Sequence, residues 1–149
     1  MQSITVYLAG SGRGNVGAWA STLLCGKHRK QLIGSETPSS SQRAFILAAI
    51  CSLRALKKLG MTVELKSDSA YLVDGATGQT KTKANADLWT LLRVETAKHT
   101  VTFTKLSGFS YSHTGSDCIE RAKEAMVEAE IARDCPEEAH IFLEEHTPL

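Results

Sequence analysis

An excess of charge of one sign is the first thing this sequence lacks. Its 17 Lys and Arg stand against 16 Asp and Glu, a formal net charge of +1. Whole-molecule electrostatics therefore gives no strong pull toward nucleic acid or an anionic membrane, although a local patch fits inside a neutral total. Long apolar runs are missing too. No segment approaches the roughly 18 consecutive apolar residues that a membrane helix needs. Met1-Gln2-Ser3 lacks the basic start of a secretory leader, so the chain is expected to be soluble and cytoplasmic. The four cysteines, Cys25, Cys51, Cys118 and Cys135, form no CxxC and no Cys/His ligand spacing, and free buried thiols are expected. Internal repeats, low-complexity tracts and linkers are also absent, which excludes solenoids and a second domain.

What is present is ordinary globular material: 149 residues, 42% hydrophobic and 22% charged. That length suits one domain. Ile4, Val6 and Leu8 alternate with Thr5 and Tyr7, a half-buried strand, and residues 10–15 follow as a glycine-rich turn. Two more strands read over residues 19–24 and 29–37, joined by a hairpin turn at Gly26-Lys27-His28. Ser39 and Gln42 stand at capping-box spacing before Ile46, Ala49, Ile50, Leu53 and Leu56, the buried face of a long helix stopped by Gly60. A fourth strand over residues 62–67 leads into Asp68 and a short helix ending near Gly75.

The interval from Gly78 to Asn85 reads as a loop, and residues 87–98 as a helix with Leu88, Leu91, Leu92 and Val94 inward. A fifth strand covers residues 100–106. Asp117 and Glu120 have capping-box spacing and open a helix running to about Arg133. Pro136 begins a short acidic tail helix. The pattern predicts a mixed α/β sheet of five strands, the first three antiparallel, with helices on both faces. Residues 1–135 form the domain, and 136–149 its tail helix.

Several segments, in order and at matching spacing, resemble ribonuclease H type 1. Leu8-Ala9-Gly10-Ser11-Gly12-Arg13-Gly14-Asn15 is similar to the family's T-D-G-S-x-x-G-N. Ser41-Gln42-Arg43-Ala44-Phe45-Ile46 resembles N-N-x-x-E-L, and Ser67-Asp68-Ser69-Ala70-Tyr71 resembles [ST]-D-S-x-Y. Asn85-Ala86-Asp87-Leu88-Trp89 looks like N-x-D-L-W, Ser107-Gly108-Phe109-Ser110 like K-G-H-[SA], and Cys118-Ile119-Glu120-Arg121-Ala122 like [AC]-D-x-L-A. The resemblance implies the ribonuclease H-like sheet over about residues 4–130.

Family chemistry would be cleavage of the RNA strand of an RNA–DNA hybrid by two Mg²⁺ ions held between clustered carboxylates. Carried over residue by residue, the four acid positions are Ala9, Phe45, Asp68 and Ile119, and the family's mobile histidine corresponds to Phe109. One carboxylate of four remains. The resemblance therefore implies a degenerate site with no resident metal expected, Mg²⁺ or Mn²⁺ entering only with residual activity. Asp117, Glu120 and Asp74 are candidates for a substitute acid. Asp68 itself has two readings, a helix cap or scaffold residue, and a residual ion ligand.

The family's grip on nucleic acid maps onto Gly10, Ser11, Gly12 and Asn15 of the first turn, and onto Ser40, Ser41 and Gln42 at the long helix's start. Ala70 stands where the family often has glutamine. Such contacts read minor-groove shape and 2′-hydroxyls, and need no metal in principle. The cluster Lys27-His28-Arg29-Lys30 reads as a solvated turn or as a phosphate contact. Lys57 and Lys58 suit a helix C-terminal dipole. The family's basic protrusion is reduced to Lys81 and Lys83, and Trp19 and Trp89 read as core. The leading reading is a nuclease-inactive ribonuclease H-like protein that keeps weak affinity for RNA–DNA hybrid or double-stranded RNA. Two alternatives stay open: a protein-interaction adaptor on the same scaffold, and a hybrid endoribonuclease with a rearranged site.

Overall fold

Alternating apolar residues build a five-stranded sheet in a computed structural model that describes residues 3–82 and 84–134. The strands are β1 (Ser3–Arg13), β2 (Val16–Cys25), β3 (His28–Glu36), β4 (Thr62–Ser67) and β5 (Thr100–Lys105), in the spatial order β3-β2-β1-β4-β5. β1 to β3 are antiparallel, whereas β4 runs parallel to β1 and β5 parallel to β4. The helices are α1 (Ser41–Arg54), α2 (Ala70–Ala76), α3 (Ala86–Thr96) and α4 (His113–Asp134). Ile4, Val6 and Leu8 face α1 in the larger core cluster, while Ala9 and Ala20 belong to the cluster under α4. Both faces of the sheet are therefore covered, as expected.

Several boundaries differ from the sequence reading. β1 continues to Arg13, and the turn shrinks to Gly14 and Asn15, both at positive φ (52° and 58°). That is the two-residue geometry that matches strand twist. Gly10 and Gly12 are therefore strand residues, small because α1 lies against them. A Cβ at Gly12 would stand 2.3 Å from the Ser41 backbone nitrogen.

The cap of α1 is Ser40, whose Oγ accepts the Arg43 N–H at 3.2 Å, and not Ser39. The helix stops at Arg54, short of Leu56 and Gly60. Lys57 and Lys58 thus lie beyond its last turn, where the dipole has little reach. α4 starts at His113, with Ser112 Oγ accepting the Gly115 N–H at 2.9 Å. Asp117 is therefore a full turn inside the helix and caps nothing. On α3, Leu88 and Leu92 are buried with Trp89, but Leu91 and Val94 face outward. Trp19 is buried as expected. Cys25, Cys51 and Cys118 are free thiols, only Cys118 being fully buried. The tail helix expected over 136–149, together with Cys135 and Lys83, lies outside the described residues.

Arg43 joins three elements. Its guanidinium bonds Glu36 at the end of β3 (Nε–Oε1 2.8 Å) and Asp87 at the start of α3 (Nη2–Oδ2 3.0 Å). Nη1 reaches Asn85 Oδ1 at 3.4 Å, and Asn85 in turn donates to the Tyr71 hydroxyl at 2.9 Å. The hydrogen bonds from Arg43 hold both carboxyls below the usual carboxylate range and raise the guanidinium.

Carboxyls with lowered folded-state pKa stabilise the fold above their unfolded value, and that contribution is lost as pH falls through the folded one. Arg43→Met should therefore lower the melting temperature by a constant amount between about pH 8 and pH 5, with the gap to wild type closing below about pH 4. Thermal melts across that range check it. A gap that persists undiminished under acid would show that Arg43 acts through packing alone.

Candidate nucleic-acid interface and acid site

The register between β1 and β4 sets the site. Tyr7 pairs with Lys66, the last pair of the two parallel strands, and Asp68 follows just beyond the carboxyl end of β4, beside the middle of β1. In open α/β sheets, ligands favour that end. Asp68 is exposed and makes no hydrogen bond or ion pair among the described residues. The cap of α2 is Ser69, whose Oγ accepts the Leu72 N–H at 3.1 Å. The capping reading of Asp68 is therefore replaced by its neighbour.

Around this end the other family positions gather. Ala9 (2% exposed) and Phe109 (1%) share a buried cluster with Cys118 and Ala122, and Ile119 and Tyr7 pack against it. The rings of Tyr7 and Phe109 stand 5.8 Å apart, and Lys66 Nζ lies 5.6 Å from the Tyr7 ring centroid. Phe45 comes from the opposite face of the sheet. Its ring lies against Gly10, so close that a Cβ there would be 2.9 Å from Phe45 Cδ2. Cys118 donates to the Ala20 carbonyl (3.2 Å), and burial pushes its thiol up to about 12. It is a packing residue, not a nucleophile.

The candidate substitute acids point elsewhere. Asp117 is held by Arg121 (3.1 Å) on its own helix and by Gln31 (3.0 Å) and Arg29 (3.5 Å) on β3. β2 and β1 separate β3 from β4, which delivers Asp68. Glu120 pairs at the surface with Lys123, 3.6 Å away. Asp74 lies inside α2.

The nucleic-acid positions do come together. Asn15 O accepts the Ser39 N–H at 2.8 Å, and Gly12 abuts Ser41, so the β1–β2 turn lies beside the start of α1. Gly12, Asn15, Ser40, Ser41 and Gln42 are exposed, with Gly10 and Ser11 half-buried behind them. Backbone N–H groups at the start of α1, beside the Gly14-Asn15 turn, suit a phosphate. The sequence reading missed the end of α4. Arg133 donates to Gly14 O and to Asn15 Oδ1 (3.1 Å), and Arg13 pairs with Glu130. Contacts between residues more than a hundred positions apart leave no local signal.

A family model described as RNase H matches residues 1–127. The chain belongs to the ribonuclease H family. Its relatives include ribonuclease H of Moorella thermoacetica, 34% identical with 85% of this chain and 93% of the relative covered. Ribonuclease H of Chlorobaculum parvum is 35% identical, covering 85% and 97%. Among solved structures, LC11-RNase H1 in complex with RNA/DNA hybrid matches with a TM-score of 0.72 at 18% identity, over 85% of this chain and 98% of that one. LC9-RNase H1, a type 1 RNase H with the type 2 active-site motif, also gives 0.72, at 19% identity, over 85% and 72%. These two support the ribonuclease H fold. No helix among the described residues is long and apolar enough to cross a membrane.

Ribonuclease H family members ordinarily use Mg²⁺ or Mn²⁺, which demand oxygen ligands. The four positions of this chain supply one carboxylate, one methyl, one phenyl and one butyl group. That donor set does not fit a two-metal centre, and no group of three potential ligands stands together among the described residues.

Convergence of these positions has a direct test. Ala9→Asp, Phe45→Glu and Ile119→Asp together would crowd four carboxylates, and a charge at buried position 9 alone costs roughly 2–5 kcal/mol. The triple variant should melt well below wild type in EDTA and regain stability with Mn²⁺, by about 2.7 kcal/mol at a hundredfold excess over Kd. Adding Asp68→Asn should shrink the recovery. A triple variant indifferent to Mn²⁺ would show that the four positions do not converge.

Proposed function

We propose that this ribonuclease H family member binds RNA–DNA hybrid weakly and does not cleave it. The observation that carries the reading is the cluster under α4. Ala9, Phe109 and Ile119, at two of the family's acid positions and its histidine, are packed on one another. Apolar side chains there offer no ligand to the water and ions that the family chemistry requires. Phe45 closes the other side against Gly10. Asp68 alone cannot hold two ions, so the activation of water and the stabilisation of a leaving oxygen both lack their supports.

Affinity has separate supports. The β1–β2 turn and the start of α1 present exposed N–H and hydroxyl groups side by side. The LC11-RNase H1 structure, a relative in fold, is described in complex with an RNA/DNA hybrid. Double-stranded RNA shares the wide minor groove and the 2′-hydroxyls, and is the second ligand of the same reading. Without metal ions to neutralise the phosphate nearest Asp68, binding is weak and rests on phosphate and 2′-hydroxyl contacts.

Hybrid cleavage should stay at background with either Mg²⁺ or Mn²⁺, and Asp68→Asn should leave that background unchanged. Filter binding of a labelled hybrid should weaken about tenfold or more between roughly 50 and 200 mM salt. Ser41→Asp, a like charge at the proposed phosphate contact, should weaken it further. RNA-strand cleavage that disappears in Asp68→Asn would establish a working nuclease with a rearranged site. Absence of hybrid binding at low salt would favour the adaptor alternative.

A further inference from the structure

A second concave surface lies at the other end of the sheet from Asp68. It is a groove of about 520 Å³ between the start of β1, the β2–β3 hairpin and the chain leaving α1. Ile4, Leu23, Leu56 and Met61 contribute apolar surface, and no acidic residue lines it. His28 and Lys30 from β3 and Lys57 and Lys58 beyond α1 form its rim, all exposed. None of these four has an ion-pair partner among the described residues, whereas Arg29 beside them is held by Asp117. Leu59, next along the chain, is 76% exposed. Neither the hybrid-binding reading nor the degenerate acid site uses any of these residues.

An apolar floor with an unneutralised cationic rim matches an acidic segment carrying large apolar side chains. This chain contains one. Glu137-Glu138 and Glu144-Glu145 bracket Ile141-Phe142-Leu143. Reach decides which copy can supply it. α4 ends at Asp134, and Arg133 is bonded to Gly14 and Asn15, so the segment departs from the turn end of β1. Ile4 and Gly14 are ten strand residues apart, about 33 Å. The eight residues from Asp134 to Phe142 span at most about 29 Å fully extended. The groove, moreover, lies on the α1 side of the sheet and α4 on the other. A chain's own triplet would have to run almost fully extended and around the edge of the sheet to reach even the near side of the groove, a path that favours a second copy.

We propose that the groove receives residues 136–149 of a second copy of this chain. The Ile141-Phe142-Leu143 triplet covers the apolar floor, and the glutamate pairs meet Lys30, Lys57 and Lys58. Reciprocal exchange closes a two-fold dimer, with the same pairing made twice. The Asp68 end of each sheet stays outside the contact.

Sedimentation of the full chain tests this. Wild type should dimerise with rising concentration, and the dimer should weaken as salt rises. Lys57→Glu/Lys58→Glu and, separately, Phe142→Asp should each be monomeric. Lys57 and Lys58 are exposed, and unchanged thermal melts would confirm that both variants stay folded. An equimolar mixture of the two variants retains one intact groove and one intact segment, and should form a dimer that neither forms alone. A wild type that stays monomeric at about 100 μM overturns the proposal. So does a wild-type dimer that the variants leave intact, or a mixture that fails to pair. A monomeric wild type would leave the groove to an acidic segment of another protein.

Discussion

β1 is the strand on which the rest of the molecule depends. It is hydrogen-bonded along both edges, antiparallel to β2 and parallel to β4, and so joins the two halves of the sheet. Its alternation divides the core: Val6 and Leu8 face α1, whereas Tyr7 and Ala9 face α4. Positions 9 and 10 therefore stand where both helical layers and the end of β4 meet. The side chain at position 9 enters the α4 cluster whatever its chemistry, because strand parity fixes its direction. Position 10 must be small, because Phe45 leans on it from the other face. The scaffold demands a small residue at position 10 and directs position 9 into an apolar cluster, where an unpaired charge is costly.

On the proposed reading, this preference for apolar side chains lets the fold persist while the family's metal-binding chemistry is lost. Clustered carboxylates repel one another and resist desolvation, so a working site of this kind is a cost that bound ions offset. On that reading, Ala9, Phe45 and Ile119 in place of acids remove the repulsion and permit apolar packing. Phe109 gains most, since it is almost wholly buried, and burying such a side chain stabilises by roughly 1.5–3 kcal/mol. The trade is a familiar one, in which stability rises as the demands of catalysis are relaxed. Asp68 fits the same account. It follows the end of β4 and is exposed to solvent, so its retention costs the fold little.

Strand alternation and helical periodicity made the strands and the helices legible in the sequence, because each depends on residues two to four positions apart. The expected acid positions came from a different source, since motifs carry their spacing with them. The β1–β4 pairing runs as far as Tyr7 and Lys66, and Asp68 follows directly after β4. The failures share a physical cause. Gly10 and Gly12 looked like turn residues, but they are small because α1 approaches them from far along the chain. Asp117 had the composition of a cap, yet Ser112 opens the helix and Asp117 serves Arg29, Gln31 and Arg121 instead. Leu91 and Val94 fitted an inward stripe, but α3 packs on α1 across a narrower face. Each error substituted a local rule for a tertiary contact.

The end of α4 is the contact of this kind with the widest consequence. Arg133 holds Gly14 O and Asn15 Oδ1, and Glu130 holds Arg13, so the β1–β2 turn is tied to a helix that otherwise covers the opposite face. The turn in turn fixes Ser39 through the Asn15 carbonyl, and with it the start of α1. A rigid turn lowers the ordering cost of any phosphate contact made there. It also constrains the chemistry of that contact. With its carbonyl oxygen engaged, Asn15 has its amide N–H₂ left to offer, a donor and not an acceptor. Beside it stand the N–H groups of the α1 start. On the proposed reading, these donors suit phosphate oxygens, contacts that position a duplex without reading its sequence.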